Sequence, residues 1–304
     1  MNSVLLSKPD LFSFKECLWF LDRNYDECLH HIDRNNNGIS KAILLNDAEY
    51  VFSVSDSDKD LLVNIEHGKT GKKNIDMLSA YVREWFDMDR DLKLFYELLR
   101  QHKKLRYMAT DFAGLRLMGI ADLYETLCWC IIGQQINLSF AYKLKRRLVE
   151  TYGMQIKTKE SSYFIFPTPE TLAQVSEEAL RGLQFSRQKA DYIIYISKVF
   201  SEGNMSKKKL LTLKTTEERK ATLISLKGIG VWTANYALMK TLRDPDCIPY
   251  GDIGLLNALS GHGLIKDRKD TRSIEKLFGK FEGWKSYLVF YLWRSLAVPS
   301  FQTK

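Results

Sequence analysis

The feature that most constrains this chain of 304 residues is a glycine-containing loop between two helical segments, Lys227-Gly-Ile-Gly230. Before it, Thr215-Thr-Glu-Glu218 has the T-x-x-E spacing of a capping box, which predicts a helix through about Leu223. After it, residues 231–242 predict a second helix that begins at once. Two glycines two positions apart allow a tight turn and a close approach of the backbone to a ligand. The same pair also fits an ordinary connection between packed helices.

The loop and the charge distribution together favour a polyanion as partner. Backbone N–H groups at a helix N-terminus point outward, and the helix dipole favours an anion there. Residues 1–87 contain ten Lys and Arg against fifteen Asp and Glu, a net −5, whereas residues 88–304 contain 35 against 22, a net +13. A basic excess in the part that carries the loop favours DNA phosphates, contacted without reading sequence. A merely well-solvated surface is the alternative interpretation of the charge.

The N-terminal part has the period-two alternation of strands, separated by short turn signals. Four strands in an antiparallel meander are predicted near 25–33, 39–46, 49–55 and 61–66. A helix near 11–21 and a second helix capped by Asp76 are predicted beside this sheet. The fold class is therefore α+β, with an antiparallel β domain at 1–87 followed by an all-helical part at 88–304.

The remaining residues predict helices throughout. They include segments that begin after Asp122 and Ser176, and the Pro-containing stretch 163–170 is predicted to be a connector. The further predicted helices are 138–152, 187–202, 252–260, 271–279 and 283–296.

Several classes of protein are disfavoured by the composition. No run of 18 apolar residues exists, so a membrane-spanning helix is not predicted. Lys8-Pro9-Asp10 interrupts the N-terminal segment where a secretory signal needs an apolar core. The five cysteines are scattered, without a C-x-x-C pair, which favours a reducing compartment and a cytoplasmic location. Cys128 and Cys130 lie in an apolar segment and are expected to be buried thiols, not metal ligands.

Three segments carry a resemblance to a known family. Residues 226–238, LKGIGVWTANYAL, resemble the helix-hairpin-helix of the base-excision DNA glycosylase superfamily, whose loop typically reads L-P-G-[IV]-G. Lys227 replaces that proline, and the hairpin is expected to stay intact because proline there only stiffens the turn. Residues 131–138, IIGQQINL, resemble the segment that enters the DNA minor groove. Residues 284–293 resemble the C-terminal helix of the DNA-3-methyladenine glycosylase II type, a branch that also has an N-terminal antiparallel β domain.

The resemblance covers nearly the whole chain and is strongest from about 122 to 298. It implies a helical core of two subdomains, at about 113–242 with the hairpin and at about 88–112 plus 243–304. It also implies an active-site cleft between these subdomains.

Asp252 is the catalytic residue that the resemblance implies, because the family places an aspartate about twenty residues after the hairpin. Here Asp252 lies twenty-two residues beyond Gly230. Cleavage of an N-glycosidic bond builds positive charge on the deoxyribose, which a nearby carboxylate stabilises while it orients water. An alkylated purine already carries positive charge and needs no strong general acid. Asp252 is also a good N-cap for a helix at 253–260, and the two roles are compatible.

Aromatic residues are expected to hold the flipped-out base. Trp232, Tyr236 and Trp293 match aromatic pocket positions of the branch, and Phe20 is aligned as a closing residue from the N-terminal domain. Electron-rich ring faces attract a cationic base as they attract other cations. The alternative is that these rings belong to an ordinary helical core.

Other residues are assigned to DNA contact. Gln135 takes the position of the wedge that fills the gap left by the flipped base, next to Gln134, although the pair also fits a polar helix end. Gly228, Gly230 and Thr233 of the hairpin are expected at the phosphates.

Comparison with the resembled family gives three further expectations, on a lyase step, an iron–sulfur cluster and a bound cation. Bifunctional members carry a lysine two residues after the second hairpin glycine, and Trp232 stands there, so no lyase step is expected. The last cysteine is Cys247, so the C-terminal iron–sulfur cluster of some members is not expected. Relatives bind a monovalent cation through carbonyl groups that correspond to Ile224, Leu226 and Ile229.

The function expected is a monofunctional DNA glycosylase that excises alkylated purines such as 3-methyladenine and 7-methylguanine from double-stranded DNA. It would act as a monomer in base excision repair and leave an abasic site. Two rival hypotheses stay open: a glycosylase of the same superfamily for another damaged or mispaired base, and a non-catalytic module that binds damaged DNA.

Overall fold

The computed structural model describes residues 2–22, 25–159 and 161–297. An antiparallel sheet near the N-terminus is followed by a predominantly helical remainder, as predicted. Across these ranges, none of the helices has both the length and the apolar character needed to cross a membrane.

The N-terminal sheet has five strands in the order β1-β5-β4-β3-β2, and each neighbouring pair is antiparallel. The strands are β1 (Ser3–Ser7), β2 (His31–Asp33), β3 (Gly38–Leu45), β4 (Ala48–Ser57) and β5 (Asp60–His67). Strands β2 to β5 correspond to the four predicted strands. Strand β1 was not predicted, because it pairs with β5 far along the chain and no local turn signals that pairing.

The predicted strand at 25–33 is wrong over its first six residues. The carboxylate of Glu27 accepts hydrogen bonds from the N–H groups of Cys28 and Leu29, at 2.8 and 2.9 Å. Because both N–H groups donate to one side chain, this segment forms a turn, and these groups do not pair with a neighbouring strand. Strand β2 therefore begins only at His31.

Two helices flank the sheet. Helix α1 (Phe14–Leu21) carries Ser13 as N-cap, and helix α2 (Lys72–Trp85) buries Leu78, Val82 and Trp85. The prediction that Asp76 caps α2 is wrong, because the N-cap is Gly71, five residues earlier, and Asp76 lies within the helix.

The helical part follows the predicted capping signals. Thr215 and Glu218 form the predicted capping box, with reciprocal bonds of 3.1 and 3.0 Å. Asp122 and Ser176 also cap helices with their side chains. The helices are α3 (Lys93–Gln101), α4 (Met108–Asp111), α5 (Leu123–Gly133), α6 (Leu138–Tyr152), α7 (Pro169–Ala173), α8 (Glu177–Gly182), α9 (Arg187–Ser201), α10 (Lys207–Thr212), α11 (Thr216–Ile224), α12 (Val231–Ala237), α13 (Ile253–Gly261), α14 (Thr271–Phe278) and α15 (Lys285–Ser295). A π-helical turn (Leu238–Leu242) continues α12, and a 3-10 turn (Gly279–Phe281) follows α14.

One segment departs from the helical prediction. The stretch at 163–170 was predicted to be a connector, but its first residues form β7 (Ser162–Ile165), antiparallel to β6 (Met154–Lys157). Ile156 and Tyr163 are buried in one cluster with Ala42 and Val51 of the large sheet. The short hairpin therefore covers the sheet, a tertiary contact that local sequence does not specify.

The packing of four helices positions the site. Helix α12 packs on α5, and α13 packs on α15. The helix-hairpin-helix segment (α11, its loop and α12) and the C-terminal helix α15 are distant in sequence. They meet across a cleft that α1 also lines.

Candidate active site

The predicted hairpin consists of α11, a loop at 225–230 and α12. Gly228 has a φ of +86°, and a Cβ built there would lie 2.6 Å from the Tyr192 ring. Glycine is required at this position for both reasons, the left-handed backbone and the close packing. The N–H of Ile229 donates to the Leu226 carbonyl at 3.1 Å, which closes the turn.

Lys227, which replaces the proline common in such loops, leaves the turn intact as expected. Its ammonium pairs with Asp191 at 2.7 Å and lies over the Tyr192 ring. Both partners belong to α9, so this lysine ties the hairpin loop to the neighbouring helix. The pair is about half exposed and its stabilising effect is small.

The GQQ segment forms the turn between α5 and α6, opposite the hairpin. The Gln134 side chain donates to the Gly228 carbonyl at 2.9 Å, and Gln135 adopts a left-handed backbone with φ of +56°. A left-handed non-glycine residue is uncommon and points to a local constraint. Lys189 of α9 donates to the Ile132 carbonyl at 2.6 Å, which satisfies one of the last carbonyls of α5. Burial lowers the pKa of the Lys189 ammonium.

Asp252 lies at the centre of a set of N–H donors. Its Oδ1 accepts from the Leu255 backbone N–H at 2.7 Å and from Trp293 Nε1 at 2.9 Å. Its Oδ2 accepts from Trp232 Nε1 at 3.2 Å. The carboxylate is thus both the N-cap of α13 and the shared acceptor of two indoles. Three donors from three elements fix its orientation, while Oδ2 keeps a lone pair available for a further partner.

The predicted aromatic residues surround this carboxylate. Trp232 and Tyr236 stack with ring centroids 5.2 Å apart, and Tyr236 lies 6.1 Å from Trp293 in a tilted arrangement. All three rings are only partly buried and line the cleft. The alternative that these rings are ordinary core residues therefore does not account for them fully, because part of the surface of each ring is exposed in the cleft.

Phe20 reaches the same cleft from α1. The centroid of its ring lies 4.6 Å from the ring centroid of Phe290 in α15. The Lys240 ammonium lies 4.3 Å from the centroid of the Phe20 ring. Helix α1 is further held to α15 by a Glu16–Arg294 pair at 2.7 Å. The N-terminal part therefore supplies one wall of the cleft.

The cleft has a volume of about 1750 Å³. It brings together most of the residues predicted from sequence: Phe20, Gln134, Gln135, Gly228, Ile229, Gly230, Trp232, Thr233, Tyr236, Asp252 and Trp293. Thr233 is only 3% exposed, so little of its side chain is accessible from the cleft. Ile224 and Leu226, predicted as cation ligands through their carbonyls, are not part of the lining.

Two families match the chain. Residues 128–282, half of its length, match the family described as HhH-GPD superfamily base excision DNA repair protein. The chain belongs to this superfamily. Residues 19–127 match the family described as 8-oxoguanine DNA glycosylase, N-terminal domain. The resemblance read from the hairpin motif is confirmed.

Relatives of this HhH-GPD chain include named glycosylases. The DNA-3-methyladenine glycosylase of Bacillus subtilis (strain 168) is 35% identical over 299 residues, which cover 96% of this chain and 97% of that protein. The DNA-3-methyladenine glycosylase 2 of Escherichia coli (strain K12) is 29% identical over 184 residues, covering 59% of this chain and 60% of that protein.

Solved structures share the fold over nearly the full length. The 3-methyladenine DNA-glycosylase from Archaeoglobus fulgidus has a TM-score of 0.80 at 23% identity, covering 97% of this chain and 98% of that one. The Clostridium acetobutylicum 8-oxoguanine glycosylase/lyase in complex with double-stranded DNA has a TM-score of 0.74 at 17% identity, covering 98% and 100%.

Sequence reasoning missed several cleft residues of this HhH-GPD chain. Trp19, Tyr25, Trp129, Lys189 and Tyr192 line the same cleft. Trp19 precedes Phe20, and Trp129 lies between Cys128 and Cys130, in apolar sequence that gives no signal to distinguish a cleft residue from a core residue. For Lys189 no local signal existed, because its partner, the end of α5, lies 57 residues away.

Proposed function

We propose that this chain is a monofunctional DNA glycosylase that flips out and hydrolytically excises alkylated purines, such as 3-methyladenine and 7-methylguanine, in base excision repair. The observation that carries the proposal is the Asp252 carboxylate, held between the indole N–H groups of Trp232 and Trp293 in an aromatic cleft. A relative that aligns over nearly the full length of both chains is named a DNA-3-methyladenine glycosylase.

The chemistry assigned to Asp252 is electrostatic. As the C1′–N bond breaks, positive charge grows on the deoxyribose, and a fixed carboxylate stabilises it without reorganising. The free lone pair of Oδ2 can also accept a hydrogen bond from the attacking water. Its three N–H donors keep the carboxylate aimed while the substrate changes.

The aromatic rings provide the base pocket. A flipped base exposes both faces of its π system, and Trp232, Tyr236 and Trp293 offer ring faces within one cleft. An N3- or N7-alkylated purine is cationic and is attracted to the electron-rich faces of tryptophan and tyrosine. Phe20 closes the pocket from α1.

The DNA is held mainly through its backbone. The hairpin loop with Gly228 and Gly230 presents backbone N–H groups to a phosphate, beside Thr233, and Gln135 enters the duplex as the wedge. What supports the wedge is the left-handed backbone of Gln135 and its place in the cleft lining. Gln134 joins wedge and hairpin through its bond to Gly228.

We propose that the reaction needs no organic cofactor and no iron–sulfur cluster, and that Na⁺ or K⁺ binds the hairpin carbonyls of Ile224, Leu226 and Ile229. Ile224 ends α11, so its carbonyl lacks an intrahelical partner. The Leu226 carbonyl accepts one N–H bond and keeps a second lone pair. The ion would add positive charge beside a DNA phosphate.

A second candidate is excision of an oxidised base, favoured by the match of residues 19–127 to the N-terminal domain of 8-oxoguanine DNA glycosylase. Assays of duplexes that contain 8-oxoguanine beside those that contain 7-methylguanine separate the two. We also propose that the protein acts as a monomer.

The product is expected to be a free methylated purine and an intact abasic site. Incubation with methylated duplex DNA should release 3-methyladenine and 7-methylguanine, identified by chromatography, with strand breaks only after alkali. Trp232 occupies the lyase-lysine position, so an imine to the sugar should not form.

Borohydride trapping checks this product. Lys189 is the only lysine among the described cleft-lining residues, and its pKa is lowered, so it is the amine to test. A trapped adduct that disappears in Lys189→Met, or nicks formed by the enzyme alone, would show that the protein is bifunctional. Release of no base from methylated DNA would overturn the proposed function.

DNA binding is expected to depend strongly on salt and little on sequence. Each phosphate neutralised contributes about −0.9 to the slope of log K against log salt concentration. Fluorescence anisotropy of two undamaged duplexes of different sequence, from about 50 to 200 mM salt, measures both properties. A flat salt profile, or a large preference for one undamaged duplex, contradicts backbone-mediated binding.

A further inference from the structure

The hairpin loop at 225–230 carries one charged side chain, that of Lys227. Lys227 directly precedes Gly228, and both Gly228 and Gly230 line the cleft. The Gly228 carbonyl accepts from the Gln134 side chain at 2.9 Å, which holds this part of the loop at the cleft wall. The Lys227 side chain is 55% exposed. It therefore lies at the rim of the surface that faces DNA in the proposed function.

The ammonium of Lys227 is paired with a carboxylate that is also at the surface. It lies 2.7 Å from Asp191 Oδ2 and 6.0 Å from the centroid of the Tyr192 ring. The Asp191 side chain is 46% exposed. Ion pairs with this exposure contribute little to stability, because water screens the attraction and the side chains lose conformational freedom. The pair can therefore be broken at small cost when another anion binds the ammonium.

A DNA phosphate is an anion that can replace the carboxylate. Its oxygens are charged acceptors like those of Asp191, and a lysine that neutralises a phosphate also releases a counterion condensed on the duplex. Lysine suits an exchange between two acceptors, because its ammonium is a point charge with three donors on a flexible stem. The proline common in such hairpins has no donor for this contact. Lys227 thus adds a positive charge at the place where the loop meets the DNA backbone.

We propose that Lys227 binds a DNA phosphate beside the hairpin and that Asp191 competes with this phosphate for the ammonium. The contact is to the DNA backbone, so it strengthens binding to any sequence, damaged or undamaged. Asp191 limits this gain and keeps the affinity for undamaged DNA low. The inference rests on the proposed function, in which the hairpin meets the DNA backbone, and it assigns a further binding residue and its competitor.

A purely structural role for the ion pair makes a different prediction. If the pair only ties the loop to α9, loss of either partner breaks the same contact, and both variants should change DNA binding in the same direction. If Lys227 exchanges its carboxylate for a phosphate, loss of the lysine removes the contact, whereas loss of Asp191 removes the competitor. The two variants should then have opposite effects on affinity.

The test is fluorescence anisotropy of the full chain with an undamaged duplex, from about 50 to 200 mM salt. Lys227→Met should weaken binding and should reduce the magnitude of the slope of log K against log salt concentration by about 0.9, the value for one phosphate. Its loss of affinity should therefore shrink about three- to fourfold across this range. Asp191→Asn should strengthen binding about threefold at the lowest salt concentration. Lys227→Arg, which keeps the charge, should retain the parent slope.

Asp191 also repels DNA through its own charge, and a double variant separates this effect from competition. Asp191→Asn combined with Lys227→Met removes the repulsion but no competitor, so the gain from Asp191→Asn should be smaller there than in the parent background. An equal gain in both backgrounds shows that Asp191 acts by repulsion alone and overturns the competition.

Two variants control for the hairpin turn and for the loss of a lysine. Lys227→Pro gives the loop the residue common in such hairpins, and it should repeat the reduced slope of Lys227→Met with the turn intact. Lys8→Met removes a lysine that also lies 2.7 Å from an aspartate, Asp56, but outside the cleft, and it should leave the slope unchanged. Thermal unfolding establishes that each variant is folded, and Lys227→Gln replaces the methionine variant if that one is not.

The outcomes separate this inference from the proposed function. An unchanged salt slope in a folded, uncharged Lys227 variant, or weaker binding in both Lys227→Met and Asp191→Asn, overturns the phosphate contact. Neither result bears on the glycosylase function, because the assay requires no excision. Failure of the parent protein to release any base from methylated duplex overturns the glycosylase function instead, and leaves the phosphate contact standing.

Discussion

Asp252→Asn should lower the rate of base excision by about 100-fold or more, with DNA affinity changed by less than about threefold. The asparagine Oδ1 can still accept from Leu255 and Trp293, so the cap of α13 remains. The amide Nδ2 then faces the Trp232 N–H without accepting its bond, and the negative charge is lost. Loss of a preorganised charge partner of the transition state is worth about this factor. Single-turnover release of 7-methylguanine measures the rate, and anisotropy measures the affinity.

Asp270→Asn is the matched control for this prediction. Asp270 caps α14 by accepting the Ser273 N–H at 3.1 Å, and it lies outside the cleft. If Asp252 were only a helix cap, the two variants would lose stability and activity alike. Near-parent turnover by Asp252→Asn on methylated DNA would rule out its assignment as the catalytic residue, and would leave the DNA-binding module as the better hypothesis.

The part of the site that local motifs encode could be predicted from the sequence. The hairpin requires Gly228 in a left-handed conformation, and Asp252 lies at a fixed spacing after it, so both appear in a short window of sequence. The capping box at Thr215 and the helical spacing of Trp232 and Tyr236 are equally local. Such positions can be assigned from local sequence alone, without any tertiary contact.

The parts that depend on pairing across the chain could not be predicted. Strand β1 forms its ladder with β5, and the β6–β7 hairpin is defined by its burial against Ala42 and Val51. Lys240 reads as one more basic residue in a basic region, and only the fold places its ammonium against the Phe20 ring. Tertiary packing decides such features, because the same residues would be satisfied in other local structures.

Trp293→Ala should lower excision of 7-methylguanine about ten- to a hundredfold, with little change in affinity for duplex that contains an abasic site. The ring is a partly buried wall of the cleft, 6.1 Å from Tyr236, and stacking of a base on an aromatic ring is worth roughly 1–3 kcal/mol. The abasic product has no base to stack, so its binding should not report the loss. Single-turnover kinetics and anisotropy on the two duplexes measure the contrast.

Trp293 also donates its indole N–H to Asp252 at 2.9 Å, so the ring and the hydrogen bond must be separated. Trp293→Phe keeps a ring face without the N–H, and it should retain most of the activity if stacking dominates. Trp284 is the N-cap residue of the same helix, stacks on Phe95 and does not line the cleft, so Trp284→Ala controls for the loss of a tryptophan. If Trp293→Ala unfolds the protein and Trp284→Ala does not, the ring is a core residue. If Trp293→Ala folds and excises at the parent rate, the base stacks on other rings.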